Sequence, residues 1–330
     1  MRLAILGAGA WGTALSVALA SHHQISLWGR DPAQCRNLET ERINARYLPE
    51  VAIPQRIRIT PDFASAVAGS EMIVVAVPTS ALRQTLRLVA VAAPATGLIW
   101  LCKGFESGSA KFPHEVADEE LSPAQPRAAL SGPSFATEVA RGLPAALTLA
   151  SRDPQFAALA SRELHKGRLR IYSSDDVIGV ETGGAVKNII AIAAGVCDGL
   201  ELGASARAAV ITRGLAEITR LGMRLGGRGE TFIGLAGAGD LMLTATSDLS
   251  RNRRVGLQLA LGKPLAAILA QLGHVAEGVH SAKEVLRLAA KLGVDMPITA
   301  AVSELLDGAT SARDLVHGLL QREPKQESTR

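Results

Sequence analysis

Residues 181–195 read ETGGAVKNIIAIAAG, a mostly small and apolar run in which Lys187 is the one cation. Lysine is seldom fully buried, so two readings stand. Either its stem runs along apolar surface to bring the charge to water, or an ammonium is kept in an apolar place because chemistry uses it. In the second case burial penalises the charged form and brings the amine toward neutrality, where it can give and take a proton. Gly183 and Gly184 stand one turn before the lysine. Each glycine weakens a helix by roughly 1 kcal/mol relative to alanine, so the pair points to close approach of something bulky, a ligand or another chain segment. Asn188 lies about 100° around the helix from Lys187, and both can border one cleft.

GAGAWG (7–12) places Gly7, Gly9 and Gly12 at GxGxxG spacing, directly after an apolar strand-like run and at the start of a helical one. In that context Gly7 permits a tight turn, Gly9 lets backbone approach a pyrophosphate, and Gly12 allows close helix–sheet packing. The helix N-terminus then offers free N–H groups to the anion. The second strand ends in Trp28 and Gly29, followed by Arg30 and Asp31. An acidic residue at that tip would favour the ribose 2′-hydroxyl of NAD, whereas a guanidinium suits a 2′-phosphate. Arg30 leads us to expect NADPH to bind at least as well as NADH, with Asp31 on the ribose as the alternative.

SRNRRVG (250–256) reads as a helix start with Ser250 as N-cap. The same helix end, with Arg251 and Asn252 as donors, suits a phosphate; Arg253 and Arg254 read as surface charges. Lys103 in LCKGF and Gly132 and Ser134 in SGPSF follow two predicted strands, at the sheet edge where ligands bind in open α/β folds. Cys35, Cys102 and Cys197 are far apart with no CxxC, and the histidines show no metal-ligand spacing, so no metal is expected. Cys102 and Cys197 read as core residues, and His274 and His280 as loop residues.

These side chains need a scaffold. Strand-length apolar runs at 2–6, 24–28, 72–77, 97–102, 127–131, 145–150 and 168–174 alternate with helical segments near 10–21, 61–68, 79–92 and 153–165. That is the pattern of a doubly wound α/β sheet of parallel strands. From about 175 onward strand signals vanish, and Ala/Leu/Ile-rich stretches at 175–199, 204–225, 251–261, 280–293 and 297–308 have helical spacing. The expected division is a Rossmann-type domain over 1–177, an all-α domain over 178–321, and a polar, disordered tail over 322–330.

The chain of 330 residues is 48% hydrophobic and 20% charged, with aromatics at only 3%, so its core must be aliphatic. A net charge of +4 is spread rather than clustered, which excludes a nucleic-acid arm and favours a small anionic ligand. The N-terminus lacks the pattern of a signal peptide. The longest apolar stretch, around 88–102, is broken by Pro94 and Gly97, so no membrane insertion and a cytoplasmic location are expected. A homodimer is expected by analogy with other helical second domains.

GAGAWGTAL, LCKGFE, LSGPSFATEVA, ETGGAVKNIIAIAAG, GLAGAGDLMLT (234–244), SRNRRVG and VAEGVHS (275–281) occur in this order. Together they resemble the bacterial NAD(P)-dependent glycerol-3-phosphate dehydrogenase family across nearly the whole chain. The resemblance implies a Rossmann domain joined to a helical domain like the C-terminal half of 6-phosphogluconate dehydrogenase. It also implies NADP(H) or NAD(H) as cofactor, and interconversion of dihydroxyacetone phosphate and sn-glycerol 3-phosphate for glycerophospholipid synthesis. By the same resemblance Lys187 is the proton donor or acceptor, and Lys103, Gly132, Ser134, Asp240, Ser250, Arg251 and Asn252 surround the substrate. Ala10, Trp11, Arg30, Lys103, Ala136, Arg251, Val275 and Glu277 would contact the cofactor. Ala10 stands where the family often has serine, so a hydroxyl contact is lost while backbone donors remain. Asp240 could position the Lys187 ammonium or bind substrate. The alternatives are a related dehydrogenase acting on another hydroxy or keto substrate, and a non-catalytic dinucleotide sensor.

Overall fold

A computed structural model of the chain describes residues 1–272 and 276–323. Its strands are β1 (Arg2–Leu6), β2 (Gln24–Trp28), β3 (Ile43–Asn44), β4 (Leu48–Ala52), β5 (Arg58–Thr60), β6 (Met72–Val75), β7 (Gly97–Trp100), β8 (Arg127–Ser131), β9 (Ala145–Ala150) and β10 (Leu169–Ser174). Among the described residues eight of them form one sheet in the order β10-β9-β8-β7-β6-β1-β2-β5, and β3 and β4 form a separate antiparallel pair. The runs MIVV and GLIW are buried at every position, as expected for strands with helices on both faces.

The sheet departs from the all-parallel expectation at one joint. β8 and β9 pair antiparallel, while β9 and β10 pair parallel. Residues 132–144 hold only the short helix Ala136–Ala140 and turn the chain straight back beside its predecessor, so no crossover is needed. That return places Gly132, Ser134 and Ala136 at the carboxyl edge of the sheet. β3, β4 and β5 were also not foreseen: they are short and half exposed, and Pro49 and Pro54 obscure any alternation.

After Ser174 the chain is helical. The Val177–Gly199 helix is the axis of this half, buried at nearly every position and capped by Asp176, whose side chain accepts from Gly179 N. It meets the length and hydropathy of a membrane span, contrary to the sequence expectation, but 94% of that window is buried within the protein. The reason is packing: the helices Gly203–Arg224, Asp240–Thr246, Arg251–Ala260 and Glu277–Leu292 enclose it. The crossing with Arg251–Ala260 is backbone to backbone. A Cβ on Gly195 would lie 2.0 Å from the Arg253 carbonyl oxygen, and one on Gly256 would lie 1.9 Å from that of Ile192.

The helical half has its own aliphatic core around Ile189, Ile190, Phe232 and Val255. Val177, Val180 and Ala236, however, pack into the core of the sheet with Val75 and Trp100. Helices Leu265–Leu272, Pro297–Leu306 and Ala312–Leu320 also belong to this half. Arg322, at the start of the predicted tail, forms an ion pair with Asp295 at 2.9 Å, and 324–330 lie outside the described residues.

Candidate active site

The glycine turn has the local geometry its spacing predicts. Gly7 has φ +123°, and a Cβ there would lie 2.6 Å from the Ala76 oxygen. A Cβ on Gly12 would lie 1.9 Å from the Gly7 oxygen, so the helix Ala10–Leu19 can start only where a glycine stands. Gly9 differs: a Cβ there would meet nothing within 4 Å, which leaves open space beside the helix N-terminus. The first N–H groups of a helix have no intrahelical acceptor, and here they belong to Ala10, Trp11 and Gly12. This open cradle fits the pyrophosphate of a dinucleotide. Arg30 is exposed just past the tip of β2, whereas Asp31 caps the Pro32–Glu41 helix by accepting from Ala33 N at 2.8 Å. The turn is also braced from outside, because the Ala8 carbonyl accepts from Gln34 Nε2 at 2.8 Å and from buried Asn44 Nδ2 at 3.1 Å.

Lys187 does not reach solvent. It is 6% exposed, and its Nζ donates to Asp240 Oδ1 and, at 2.9 Å, to Thr244 Oγ1. Asp240 Oδ2 takes Lys103 Nζ at 2.6 Å, so one carboxylate bridges two ammonium groups. Asp240 begins a helix straight after the wide π-helical turn Leu235–Gly239, a type of irregularity frequent at functional sites. Thr244 lies one turn further on the same helix and donates back to the Asp240 carbonyl at 2.6 Å. Thr244 was not singled out from sequence, although its i+4 spacing from Asp240 puts the two on one face.

The glycine pair serves chain segments. A Cβ on Gly183 would lie 2.5 Å from the Ala236 oxygen, and one on Gly184 would touch Ser131 Oγ at 3.0 Å and the Lys103 stem at 3.4 Å. Gly183 therefore admits the wide turn that delivers Asp240, and Gly184 lets Lys103 pass across the helix. The backbone of Lys103 is held by Thr79 Oγ1, which donates to its carbonyl at 2.9 Å.

Electrostatics follow from this enclosure. Burial pushes Lys187 down to about 8, against the pull of Asp240 and with a smaller push from Lys103. Burial would raise Asp240, but Lys103 and Lys187 outweigh it and hold the carboxyl below its ordinary range. Enclosure pushes the Glu277 carboxyl up, while Arg251, Lys103 and Lys187 pull the other way.

A second cluster adjoins the first. Asn188 Nδ2 donates to Glu277 Oε2 at 3.3 Å, Asn252 Nδ2 donates to Asn188 Oδ1 at 2.9 Å, and Gly278 N donates to Asn252 Oδ1 at 3.0 Å. Buried Asn252 thus ties three helices together and, among the described residues, keeps one side-chain N–H to spare. Ser250 is the N-cap, accepting from Arg253 N at 3.2 Å, and Arg251 is exposed on the first turn. Arg253 is not a surface charge: it is 8% exposed and reaches Asp198 at 2.7 Å and Asp248 at 2.6 Å. Its guanidinium turns inward because the close crossing at Gly195 and Gly256 draws this helix onto the axis. Gly132 has φ +138° and sits 3.1 Å, by its virtual Cβ, from the Ala146 oxygen; Ser134 Oγ donates to the Gly132 carbonyl at 3.1 Å. Ala136 is half-buried at the start of its helix, and His280 lies on the Glu277–Leu292 helix instead of a loop. Val275 and His274 lie outside the described residues.

Along its length the chain is similar to known proteins. Residues 2–157 match the NAD-dependent glycerol-3-phosphate dehydrogenase N-terminus, and residues 176–317 match its C-terminus. A glycerol-3-phosphate dehydrogenase [NAD(P)+] of Nitrosospira multiformis is 58% identical, over 99% of each chain, and one of Dechloromonas aromatica is 55% identical over 99% of each. The crystal structure of glycerol-3-phosphate dehydrogenase from Coxiella burnetii superposes with a TM-score of 0.92 at 42% identity, over 97% of this chain and 99% of that one. A ketopantoate reductase from Ralstonia eutropha, with a TM-score of 0.60 at 16% identity, shares the fold alone. By sequence along nearly its whole length and by fold, the chain belongs to the NAD(P)-dependent glycerol-3-phosphate dehydrogenase family of oxidoreductases.

Proposed function

We propose that this enzyme reduces dihydroxyacetone phosphate to sn-glycerol 3-phosphate for glycerophospholipid synthesis, with Lys187 as the proton donor. The observation that carries the reading is the buried Lys187 amine on Asp240, with Lys103 on the same carboxylate. A bound nicotinamide supplies the hydride. Lys187 gives a proton to the oxygen that becomes the C2 hydroxyl, and takes one back in the reverse direction. Asp240 holds Lys187 in place without raising its basicity to that of a free lysine. The Lys103 ammonium adds positive charge where the alkoxide develops. Ser250, Arg251 and the spare Asn252 N–H form the phosphate end at a helix N-terminus, with Gly132 and Ser134 closing the opposite side.

On this reading 1–177 binds the cofactor through Gly7, Gly9, Ala10, Trp11, Gly12, Arg30 and Ala136, while 178–321 supplies Lys187, Asp240 and the phosphate end. Arg251, Val275 and Glu277 complete the cofactor contacts from the helical side. Arg30 is free to meet a 2′-phosphate while Asp31 is committed to its cap, which favours NADPH. Free thiols at Cys35, Cys102 and Cys197 fit the cytoplasm, and a homodimer remains our expectation for the assembly. The test is NAD(P)H oxidation on adding dihydroxyacetone phosphate, run beside dihydroxyacetone and with Lys187→Ala. Turnover is expected only with the phosphorylated ketone, and the variant should lose at least about 10²-fold in kcat. Activity on dihydroxyacetone alone, or an active Lys187→Ala enzyme, would overturn the reading. Repeating the assay with both cofactors in Arg30→Ala should lower the preference for NADPH; an unchanged ratio would remove Arg30 from that role.

A further inference from the structure

Reducing a ketone consumes one proton from solvent per turnover, and Lys187 must be recharged although it is only 6% exposed. A second ionisable pair adjoins the same helix. Glu181, 6% exposed, accepts from Trp100 Nε1 at 2.8 Å and from His114 N at 3.1 Å, and its other oxygen pairs with His114 Nδ1. The substrate reading above uses none of these groups.

Glu181 and Lys103 line one small cavity together with Cys102, Ser131 and Gly184. The space a water centre can occupy there is about 10 Å³, room for one molecule. Ser131 Oγ lines the same cavity, and among the described residues it is buried with no hydrogen-bond partner. A buried hydroxyl without a partner is rare, and a water bonded to it would also face Glu181 and Lys103. At the far end His114 borders two open grooves of about 500 and 410 Å³ that meet solvent.

We propose that His114 and Glu181, with one water held by Ser131, form a proton relay that recharges Lys187 from solvent through Lys103 and Asp240. The inference rests on Lys187 being the proton donor. After donation Lys187 is neutral. Lys103 passes a proton to Asp240 Oδ2, and rotation of that carboxyl delivers it to Lys187. Lys103 takes its replacement from the water, the water from Glu181, Glu181 from His114, and His114 from solvent. No electrons move, each group returns to its starting state, and the sum is one solvent proton taken up. Oxidation runs the chain backwards.

The charges around the pair suit this task. Burial pushes the Glu181 carboxyl up, despite His114 and Trp100. Burial would lower the His114 imidazolium, but Glu181 outweighs that and the nearby Arg152, with a small contribution from Glu115, and holds it above its ordinary value. Both shifts favour the protonated form of the group.

Glu181→Gln keeps the shape and an acceptor for Trp100 but cannot carry a proton. In stopped-flow reduction of dihydroxyacetone phosphate, its first turnover should run at the wild-type rate, because Lys187 starts charged. A burst of one cofactor per site should follow, then a steady state slower by on the order of 10²-fold, with kcat/KM unchanged and KM lowered in proportion to kcat. His114→Ala should show the same burst, and imidazole added to the buffer should restore its steady state. Wild-type steady-state turnover in Glu181→Gln, equal slowing of its first and later turnovers, or indifference of His114→Ala to imidazole would each overturn the relay. Lys187→Ala should lose the first turnover as well. If it does not, the reading of Lys187 has failed, whatever the Glu181 variant does.

Discussion

Lys187 meets two opposed demands. It must hold a proton firmly enough to arrive charged and loosely enough to release it, and the two influences on it are burial and Asp240. Burial is the larger, so the amine rests at about 8, below the value of a free lysine. Reduction needs the charged form and oxidation the neutral one. The sign follows directly: kcat for ketone reduction should fall as pH rises through about 8, while kcat for alcohol oxidation should rise through the same region. Rate profiles in both directions check this, and parallel profiles would contradict it. Asp240→Asn should shift both midpoints downward, because the raising influence is removed while burial stays. The lysine itself was legible as an ammonium in an apolar helix. Its partners were not, since Asp240 lies 53 positions away from Lys187 and 137 from Lys103, and no local spacing announces such contacts.

At the level of elements, glycines decide where helices can meet. The pair beside Lys187 was legible as a request for space, but the claimants turned out to be the Leu235–Gly239 turn and the Lys103 stem. Gly195 and Gly256 carried no sequence signal, because their significance exists only once two helices cross. Gly256→Ala would put a methyl 1.9 Å from the Ile192 oxygen and force the Arg251–Ala260 helix outward. Overpacking of this kind costs about 1–3 kcal/mol, so thermal unfolding should occur several degrees lower. Because Ser250, Arg251 and Asn252 sit at the displaced helix's start, KM for the phosphorylated substrate should rise more than KM for the cofactor. Equal changes in both would argue against the phosphate end lying there. The alternation of apolar strands and helices in the first half was readable because each buried strand is a continuous apolar run. The antiparallel turn-back at β9 was not, since AALTLA reads the same in either direction of pairing.

Across the whole molecule the division at residue 177 is one of secondary structure more than of packing. Val177, Val180 and Ala236 complete the core that Trp100 and Val75 begin, and Glu181 bonds the Trp100 indole. Calorimetry should therefore show one cooperative unfolding transition, not two; well-separated peaks would mean that the halves stand alone. The shared core also bears on how the chain is made. The Val177–Gly199 helix is long and apolar enough for a bilayer, and in the folded protein its neighbours cover nearly all of it. All the strands precede that helix in the chain, whereas Arg251–Ala260 and Glu277–Leu292 follow it some 50 to 90 residues later. For that interval the nascent protein presents a greasy rod half wrapped, and the timing of translation becomes part of its folding problem.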